Sequence, residues 1–164
     1  MIIRKLNIYD KKQLFELIEI IENSIERPDF WLPINDISRE HFFNSEWTEF
    51  YGAFENKRLV AASALFYNEH EYRESVNVLH KSFTSIAEIG RSMVIPEYRG
   101  NNVLYSINTK LVSIAHNKKI EYLLATIHPE NIPSRKSFLK LGMARQTTYT
   151  KSCGYIRDIF LMKV

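Results

Sequence analysis

The segment VIPEYRGNNVLYSI, residues 94–107, carries the strongest indication of chemistry in the sequence. A buried strand ends at Pro96, and a helix with an apolar stripe begins near Asn101. The backbone N–H groups of a first helical turn lack partners inside the helix, and the helix dipole adds partial positive charge there. Arg99 contributes a full positive charge, and Gly100 allows a ligand to approach the backbone closely. These residues therefore predict a binding site for a pyrophosphate.

A second segment, HPENIPSRKSFLKLGM at residues 128–143, also leads from a strand into a helix. Pro133 lies near the start of a predicted helix over residues 132–141, and Gly142 marks the C-terminal end of that helix. His128 follows the strand directly, and histidine is a residue type that often serves as a general acid or base. A lone histidine is more often structural than catalytic, so both interpretations stay open.

Hydrophobic periodicity and turn signals predict the elements that position these segments. Apolar stripes predict helices over residues 11–25 and 103–117, and Ser38 predicts the N-cap of a short helix between them. Residues 68–80 are polar and fit a loop, a short helix or an extra strand. Seven segments have strand character: MIIRKLNI, WTEFYGAF, RLVAASALFY, SIAEIGRSMVI, EYLLATI, ARQTTYTKS and YIRDIFLMKV.

The predicted order of elements is β-α-α-β-β-β-α-β-α-β-β. It indicates an α/β fold of the α+β type, in which helices cover the faces of a mixed sheet. A chain of 164 residues with 45% hydrophobic content can bury a substantial core. We therefore expect a single domain over residues 1–164.

The composition argues against several classes of protein. A single cysteine, Cys153, permits no intrachain disulfide, and the start MIIRKLNIYD lacks the apolar run of a signal peptide, so we expect a cytoplasmic protein. No apolar stretch approaches the ~20 residues of a membrane span, so no membrane partner is expected. The basic residues form no Lys/Arg run, which argues against nucleic acid. No Cys/His cluster has zinc spacing, so no metal is expected.

Charge is distributed unevenly along the chain. Residues 1–50 carry 6 Lys+Arg and 10 Asp+Glu, a net charge of −4, whereas residues 51–164 carry 16 and 9, a net charge of +7. The basic part would suit a phosphate-bearing ligand and the acidic part a cationic one. Random variation of surface charge accounts for the asymmetry about as well.

The two chemistry-bearing segments together resemble those of the GNAT acetyltransferase superfamily. VIPEYRG is similar to the family's Val-x-Pro-x-x-Arg-Gly approach to its pyrophosphate loop, and ENIPSRKSFLKLGM is similar to its helix with Asn, an aromatic residue and Lys-x-Gly. The predicted element order matches too, so the resemblance covers nearly the whole chain. It implies a GNAT-like fold and acetyl-CoA as co-substrate.

The resemblance also implies roles at the matching positions. Backbone groups of Met93 and Val94 would pair with the pantetheine arm, and the N–H groups of residues 99–104 would hold the pyrophosphate. Asn131 would hydrogen-bond the pantetheine, while Ser134 and Lys136 would line the nucleotide side of the cofactor. The implied cofactor-binding residues are Met93, Val94, Arg99, Gly100, Asn101, Asn102, Val103, Leu104, Asn131, Ser134 and Lys136.

Three residues depart from the family pattern. Asn102 stands in place of a glycine, although Asn tolerates unusual dihedrals better than most residues. Leu104 stands in place of a small residue and would narrow the phosphate site. Phe138 stands where many members have a tyrosine that protonates the leaving thiolate. Because phenylalanine has no proton to donate, another group or water would have to serve.

Two residues are candidates for acid–base catalysis. Glu88 lies in the strand before the loop, where family members often have a glutamate, and burial would raise its pKa toward neutrality. It could then accept a proton from an amine substrate. The alternative is a structural pair with Arg91, but residues three apart on a strand point to opposite faces. His128 is the second catalytic candidate, as a replacement for the missing tyrosine.

These expectations combine into an N-acetyltransferase that moves an acetyl group from acetyl-CoA to a primary amine of a small molecule or peptide by direct attack. One alternative is a GNAT-like enzyme with a longer acyl donor, carried on coenzyme A or acyl carrier protein. Another is a degenerate domain that binds a ligand without turnover. Phe30, Trp31 and Trp47 could line a substrate pocket or pack in the core. The chain is expected to be a monomer or homodimer.

Overall fold

The computed structural model describes all 164 residues. Its strands are β1 Ile2–Lys5, β2 Thr48–Glu55, β3 Arg58–Phe66, β4 Ile86–Val94, β5 Tyr122–Ile127, β6 Ala144–Thr150 and β7 Ile156–Lys163. Its helices are α1 Lys11–Ser24, α2 Asp36–Glu40, α3 Glu69–Leu79, α4 Val103–Asn117 and α5 Ile132–Leu141. The strands form one sheet in the order β1-β2-β3-β4-β5-β7-β6, in which only β4 and β5 are parallel neighbours.

The predicted fold class is confirmed, with one helix added to the predicted order. The ambiguous residues 68–80 contain α3, which begins after Asn68, whose side chain accepts a hydrogen bond from the amide of His70. It ends at His80, whose backbone takes the left-handed conformation. None of the five helices has both the length and the apolar content to cross a membrane.

Helices lie on both faces of the sheet because side chains alternate along the strands. On β5, Leu123 belongs to the main apolar core, which also contains buried residues of α1 and α4. Its neighbour Leu124 points the opposite way and packs with Ile159 and residues of α3, including Val76. The main core therefore fills the α1/α4 face, while α3 covers a smaller cluster on the other face.

The parallel pair at the centre of the sheet is short. Only Ile86–Glu88 of β4 and Tyr122–Leu124 of β5 pair with each other, and beyond that point the two strands continue without pairing with one another. On its other edge, β4 contains a bulge opposite β3, and Arg91 within the bulge has a φ of +51°. A bulge bends its strand and increases the local twist. The sheet is therefore open between the C-terminal halves of β4 and β5.

Candidate functional site

The N-terminus of α4 presents a run of free backbone donors. The amides of residues 100–105 donate no hydrogen bond within the chain. Asn102 occupies the N-cap position with a φ of +56°, and its side chain does not cap the helix. Gly100 has a φ of +80°, a conformation that glycine adopts without the strain imposed by a Cβ atom. Uncapped amides at the positive end of a helix dipole form an anion site.

A cavity of about 840 Å³ lies in front of these amides. Its lining carries four cationic side chains and a single carboxylate, that of Glu26; the cations are Arg27, Arg99, Lys136 and Lys140. We call it the larger cavity. The excess of positive charge next to free amides suits a ligand with several phosphate groups.

Arg99 is held at the edge of the larger cavity by two polar contacts. Its Nη2 donates to Ser24 Oγ at 3.2 Å, and its Nε donates to the Val94 carbonyl at 3.4 Å. On the other side, Lys140 Nζ lies 3.4 Å from Asn102 Oδ1 and 4.2 Å from the centre of the Tyr105 ring. The two cations therefore flank the free amides.

The larger cavity includes all but one of the predicted cofactor-binding residues. The exception is Asn101, whose side-chain amide turns back to donate to the carbonyls of Tyr98 and Arg99, each at 3.3 Å. Of the amides predicted to hold a pyrophosphate, that of Arg99 donates to Pro96 O at 3.2 Å, whereas those of residues 100–104 have no partner within the chain. Asn131 caps α5 through its side-chain oxygen, which accepts from the Ser134 amide at 3.3 Å.

Strand β4 supplies a polar backbone edge to the larger cavity. The Ile95 amide donates to Val60 O at 3.0 Å, so Ile95 faces β3. Because peptide groups alternate along a strand, the N–H and C=O of Val94 face the gap beside β5. Met93 and Val94 both line the cavity there. An extended chain could pair with Val94 as an added strand would.

A smaller cavity of about 490 Å³ adjoins the larger one. Both are lined by Phe30, Trp31, Ser92, Asn131, Ser134 and Phe138. Glu88 lies in the smaller cavity, and burial raises the pKa of its carboxyl to about 7, with the charge of Glu71 adding to the effect. The nearest hydrogen-bond donor to Glu88 is Thr126 Oγ1, at 3.5 Å from Oε1. The carboxylate is thus accessible to a ligand in the cavity and titrates near neutrality.

Arg91 lines the same cavity as Glu88, although residues three apart on a regular strand point to opposite faces. The β4 bulge at Arg91 interrupts the alternation that a regular strand would impose. The two residues form no ion pair within 4.0 Å. Instead, Arg91 donates to the carbonyls of Leu32 and Pro33, the latter at 3.3 Å.

His128 also lines the smaller cavity, and both of its ring nitrogens have partners. Its Nδ1 accepts from the Glu130 amide at 3.1 Å, so in the neutral ring Nε2 carries the proton. Nε2 lies 3.1 Å from Asp29 Oδ2, and the ring packs against Phe30. With 5% of its surface exposed, His128 is built to hold the segment that contains Asp29 and Phe30. Its catalytic role stays a prediction.

Sequence reasoning missed two cations of the smaller cavity, Lys151 and Arg157. No local pattern distinguishes them from surface cations, since they reach the cavity through the pairing of β6 with β7. The aromatic candidates divide: Phe30 and Trp31 line both cavities, whereas Trp47 stacks on His41 at 3.7 Å between ring centres.

Comparison with known proteins places this geometry in context. The profile of the acetyltransferase (GNAT) family matches residues 14–143. No curated protein sequence gives a significant match. Among solved structures, an N-acetyltransferase from Staphylococcus aureus Mu50 is 16% identical with a TM-score of 0.74, covering 99% of this chain and 97% of that one.

Two further structures show the same likeness. The ribosomal-protein-alanine N-acetyltransferase from Brucella melitensis is 16% identical with a TM-score of 0.72, and each chain is covered completely. A chain of the NatC complex bound to Gag peptide and CoA is 11% identical with a TM-score of 0.73, covering 99% of this chain and 98% of that one. At these identities the likeness shows the fold.

Proposed function

The chain belongs to the acetyltransferase (GNAT) family, and on that premise we propose that it is an N-acetyltransferase that uses acetyl-CoA and a primary amine. The observation that carries this proposal is the continuity of the two cavities. The phosphate-compatible larger cavity and the cavity of Glu88 share Ser92, Asn131 and Phe138. A donor bound in one cavity would therefore present its reactive end to a base in the other.

The residues of the larger cavity fit acetyl-CoA in three respects. The free amides of residues 100–105, with Arg99 and Lys140 beside them, match a pyrophosphate. The outward-facing peptide groups of Val94 match the amides of a pantetheine arm. The cavity is also large enough for a nucleotide-bearing ligand, because such sites commonly span ~300–1,000 Å³.

Acetyl-CoA, when bound, would supply a thioester whose carbonyl carbon bonds to the amine nitrogen as its bond to sulfur breaks, and the CoA thiolate would leave and take a proton from water. Glu88 would take a proton from the ammonium form of the acceptor, because a free lone pair is needed for attack. With a pKa of about 7, its carboxyl exchanges that proton readily at neutral pH. Phe138 would close the junction of the cavities against water and donate no proton. Holding both substrates in adjoining cavities would supply much of the rate.

Calorimetric titration with acetyl-CoA, CoA and a long-chain acyl-CoA tests the donor. We expect micromolar binding of acetyl-CoA and of CoA, and amine-dependent release of the CoA thiol across a panel of amines. Arg99→Ala should weaken acetyl-CoA binding roughly tenfold, the loss expected for a charge-assisted contact. The exposed Arg58→Ala is the matched control.

Three results would contradict the proposal. If none of the three ligands binds, the donor would be an acyl group on a carrier protein, or the chain would be a non-catalytic domain that binds another ligand. Preference for the long-chain ligand would replace the acetyl donor with a longer one. Binding without thiol release on any amine would indicate a domain that has lost catalysis.

A further inference from the structure

The smaller cavity contains charges of both signs, and most of them already have partners. Lys151 Nζ lies 4.0 Å from Glu74 Oε2 and donates to Tyr149 at 3.0 Å. Glu71 accepts a hydrogen bond from Ser38. The guanidinium of Arg91 is committed to backbone carbonyls of the segment that follows α1. These groups therefore contribute to the walls of the cavity rather than offering free charge.

Arg157 is the exception among the cations. Only 2% of its surface is exposed, and its Nη1 donates to the Ile156 carbonyl at 2.7 Å. Its Nη2 is fully buried and has no hydrogen-bond partner. A guanidinium stays charged at neutral pH, and a buried charged donor without a partner is costly. Such groups are rare in native proteins, and a bound ligand, ion or water is one way in which they gain a partner.

Glu88 is the matching exception among the carboxylates. It forms no ion pair, and its only hydrogen bond is the 3.5 Å contact from Thr126. Arg157 and Glu88 lie on different strands, β7 and β4, yet line the same cavity. Arg157 and Glu88 thus bring to one cavity a guanidinium with an unpartnered nitrogen and a carboxyl without an ion pair.

We propose that the acceptor is an amino carboxylate, bound with its carboxylate on Arg157 and its amino group toward Glu88. This inference rests on the proposed function and names its substrate class. The fork of N–H groups on arginine matches the two oxygens of a carboxylate. A polyamine or a lysine-rich peptide would instead place a second cation beside Arg91, Lys151 and Arg157.

The first test compares matched ligands on the wild-type protein. The panel consists of α-, β- and γ-amino acids, each paired with its own carboxamide, which lacks the negative charge. Binding is measured by calorimetry with CoA present, and transfer by acetyl-CoA-dependent thiol release. We expect at least one amino acid to bind roughly tenfold or more tightly than its carboxamide, as for a lost charged hydrogen bond.

The second test moves the change to the protein. Arg157→Gln should lower the affinity for that amino acid roughly tenfold and leave the affinity for its carboxamide within about twofold. Arg157→Lys keeps the charge and should retain an intermediate affinity. Arg73→Gln, on the exposed face of α3, is the control. Circular dichroism checks folding, and the ligand comparison stands by itself if a variant does not fold.

Two outcomes overturn the proposal: carboxamides that bind as tightly as the amino acids, or no binding by either member of any pair. If thiol release then occurs with carboxamides or simple alkylamines, the proposed function stands and only the substrate class is wrong. Conversely, carboxylate-dependent binding that Arg157→Gln abolishes, without any thiol release, supports the role of Arg157 and contradicts the transferase.

Discussion

Glu88 combines two properties that rarely occur together in a folded protein. Its carboxyl is in a cavity that a ligand can enter, and burial holds the pKa of Glu88 at about 7. A carboxylate with an ordinary pKa is a weak base at neutral pH, whereas one near 7 is matched to proton transfer there. The same burial makes the charged form of Glu88 unfavourable to the fold.

The catalytic consequence is a pH-dependent rate. Because the base must be deprotonated, kcat/KM should rise with pH through a limb near 7 and level off above it. Glu88→Gln should lower kcat roughly 100-fold, remove this limb and leave acetyl-CoA affinity unchanged. Glu46→Gln, an exposed residue outside both cavities, is the control. Wild-type turnover by Glu88→Gln would show that another group is the base.

Glu88 makes the free energy of unfolding decrease as pH rises, whereas most carboxylates in folded proteins make it increase. The pKa of Glu88 is about 7 in the folded chain and near 4.5 in the unfolded one, so the folded chain binds the extra proton between these values. Stability from this group is therefore complete below about pH 4.5 and declines as pH rises to 7. Glu88→Gln should gain stability relative to wild type over that range, by about 3 kcal/mol at most, in urea titrations at pH 5 and 8. A constant difference between the two proteins would contradict this origin of the shift.

At the scale of the element, the boundaries of the two helices beside the larger cavity were predictable from the sequence. The predicted helices over residues 103–117 and 132–141 are found as Val103–Asn117 and Ile132–Leu141. Their apolar stripes are long, and Gly142 adopts the left-handed conformation that its position predicts. Local sequence fixes such ends because capping and stop signals act over a few residues.

Other features depend on pairing between distant residues, and the sequence did not disclose them. Asn35, rather than Ser38, caps α2, because Ser38 is buried and donates to Glu71. The bulge at Arg91 depends on the register of β4 with β3, so the sequence of β4 alone does not predict it. The Arg157 Nη2 lacks a hydrogen-bond partner because of how the surrounding residues pack, and no local sequence pattern predicts that packing.

Two glycines with similar backbone conformations allow the effect of the loop before α4 on ligand binding to be distinguished from its effect on stability. Gly100 has a φ of +80° and Gly154, in the β6–β7 turn, a φ of +91°; a Cβ added to either meets nothing within 4 Å. Changing each to Ala should therefore cost a similar ~1 kcal/mol in the free energy of unfolding. Only Gly100→Ala should also weaken acetyl-CoA binding in calorimetry. Equal affinities in the two variants would argue against the loop as the phosphate site.

At the scale of the molecule, the segment between α1 and α2 joins the two cavities. Phe30 and Trp31 contribute to both linings, and three polar ties hold the segment to the sheet side. Asp29 contacts His128 at 3.1 Å, Arg27 contacts Glu130 at 3.0 Å, and Arg91 binds the Leu32 and Pro33 carbonyls. This wall of both cavities is thus a loop segment held by polar contacts rather than an α-helix or a strand of the sheet.

Removing the contact between His128 and Asp29 should make the segment between α1 and α2 more mobile while the residues proposed for catalysis stay in place. His128→Gln should increase amide hydrogen exchange in residues 27–35 and raise the KM for the acceptor, with a smaller effect on kcat. His116→Gln, on the exposed face of α4, is the control. A selective loss of kcat with unchanged exchange would instead assign His128 to acid–base catalysis.

The gap between β4 and β5 leaves two exposed strand edges inside the sheet. Beyond Glu88 and Leu124, each of these central strands has peptide groups without a strand partner, as edge strands do. Such edges invite pairing with foreign chains, and edge strands of ordinary sheets are protected against this by charge, bulges or a covering element. Under the proposed function, bound acetyl-CoA would cover these peptide groups. The tendency of the protein to aggregate through these strands would then fall as the concentration of acetyl-CoA or CoA rises, because bound ligand would block pairing with other chains.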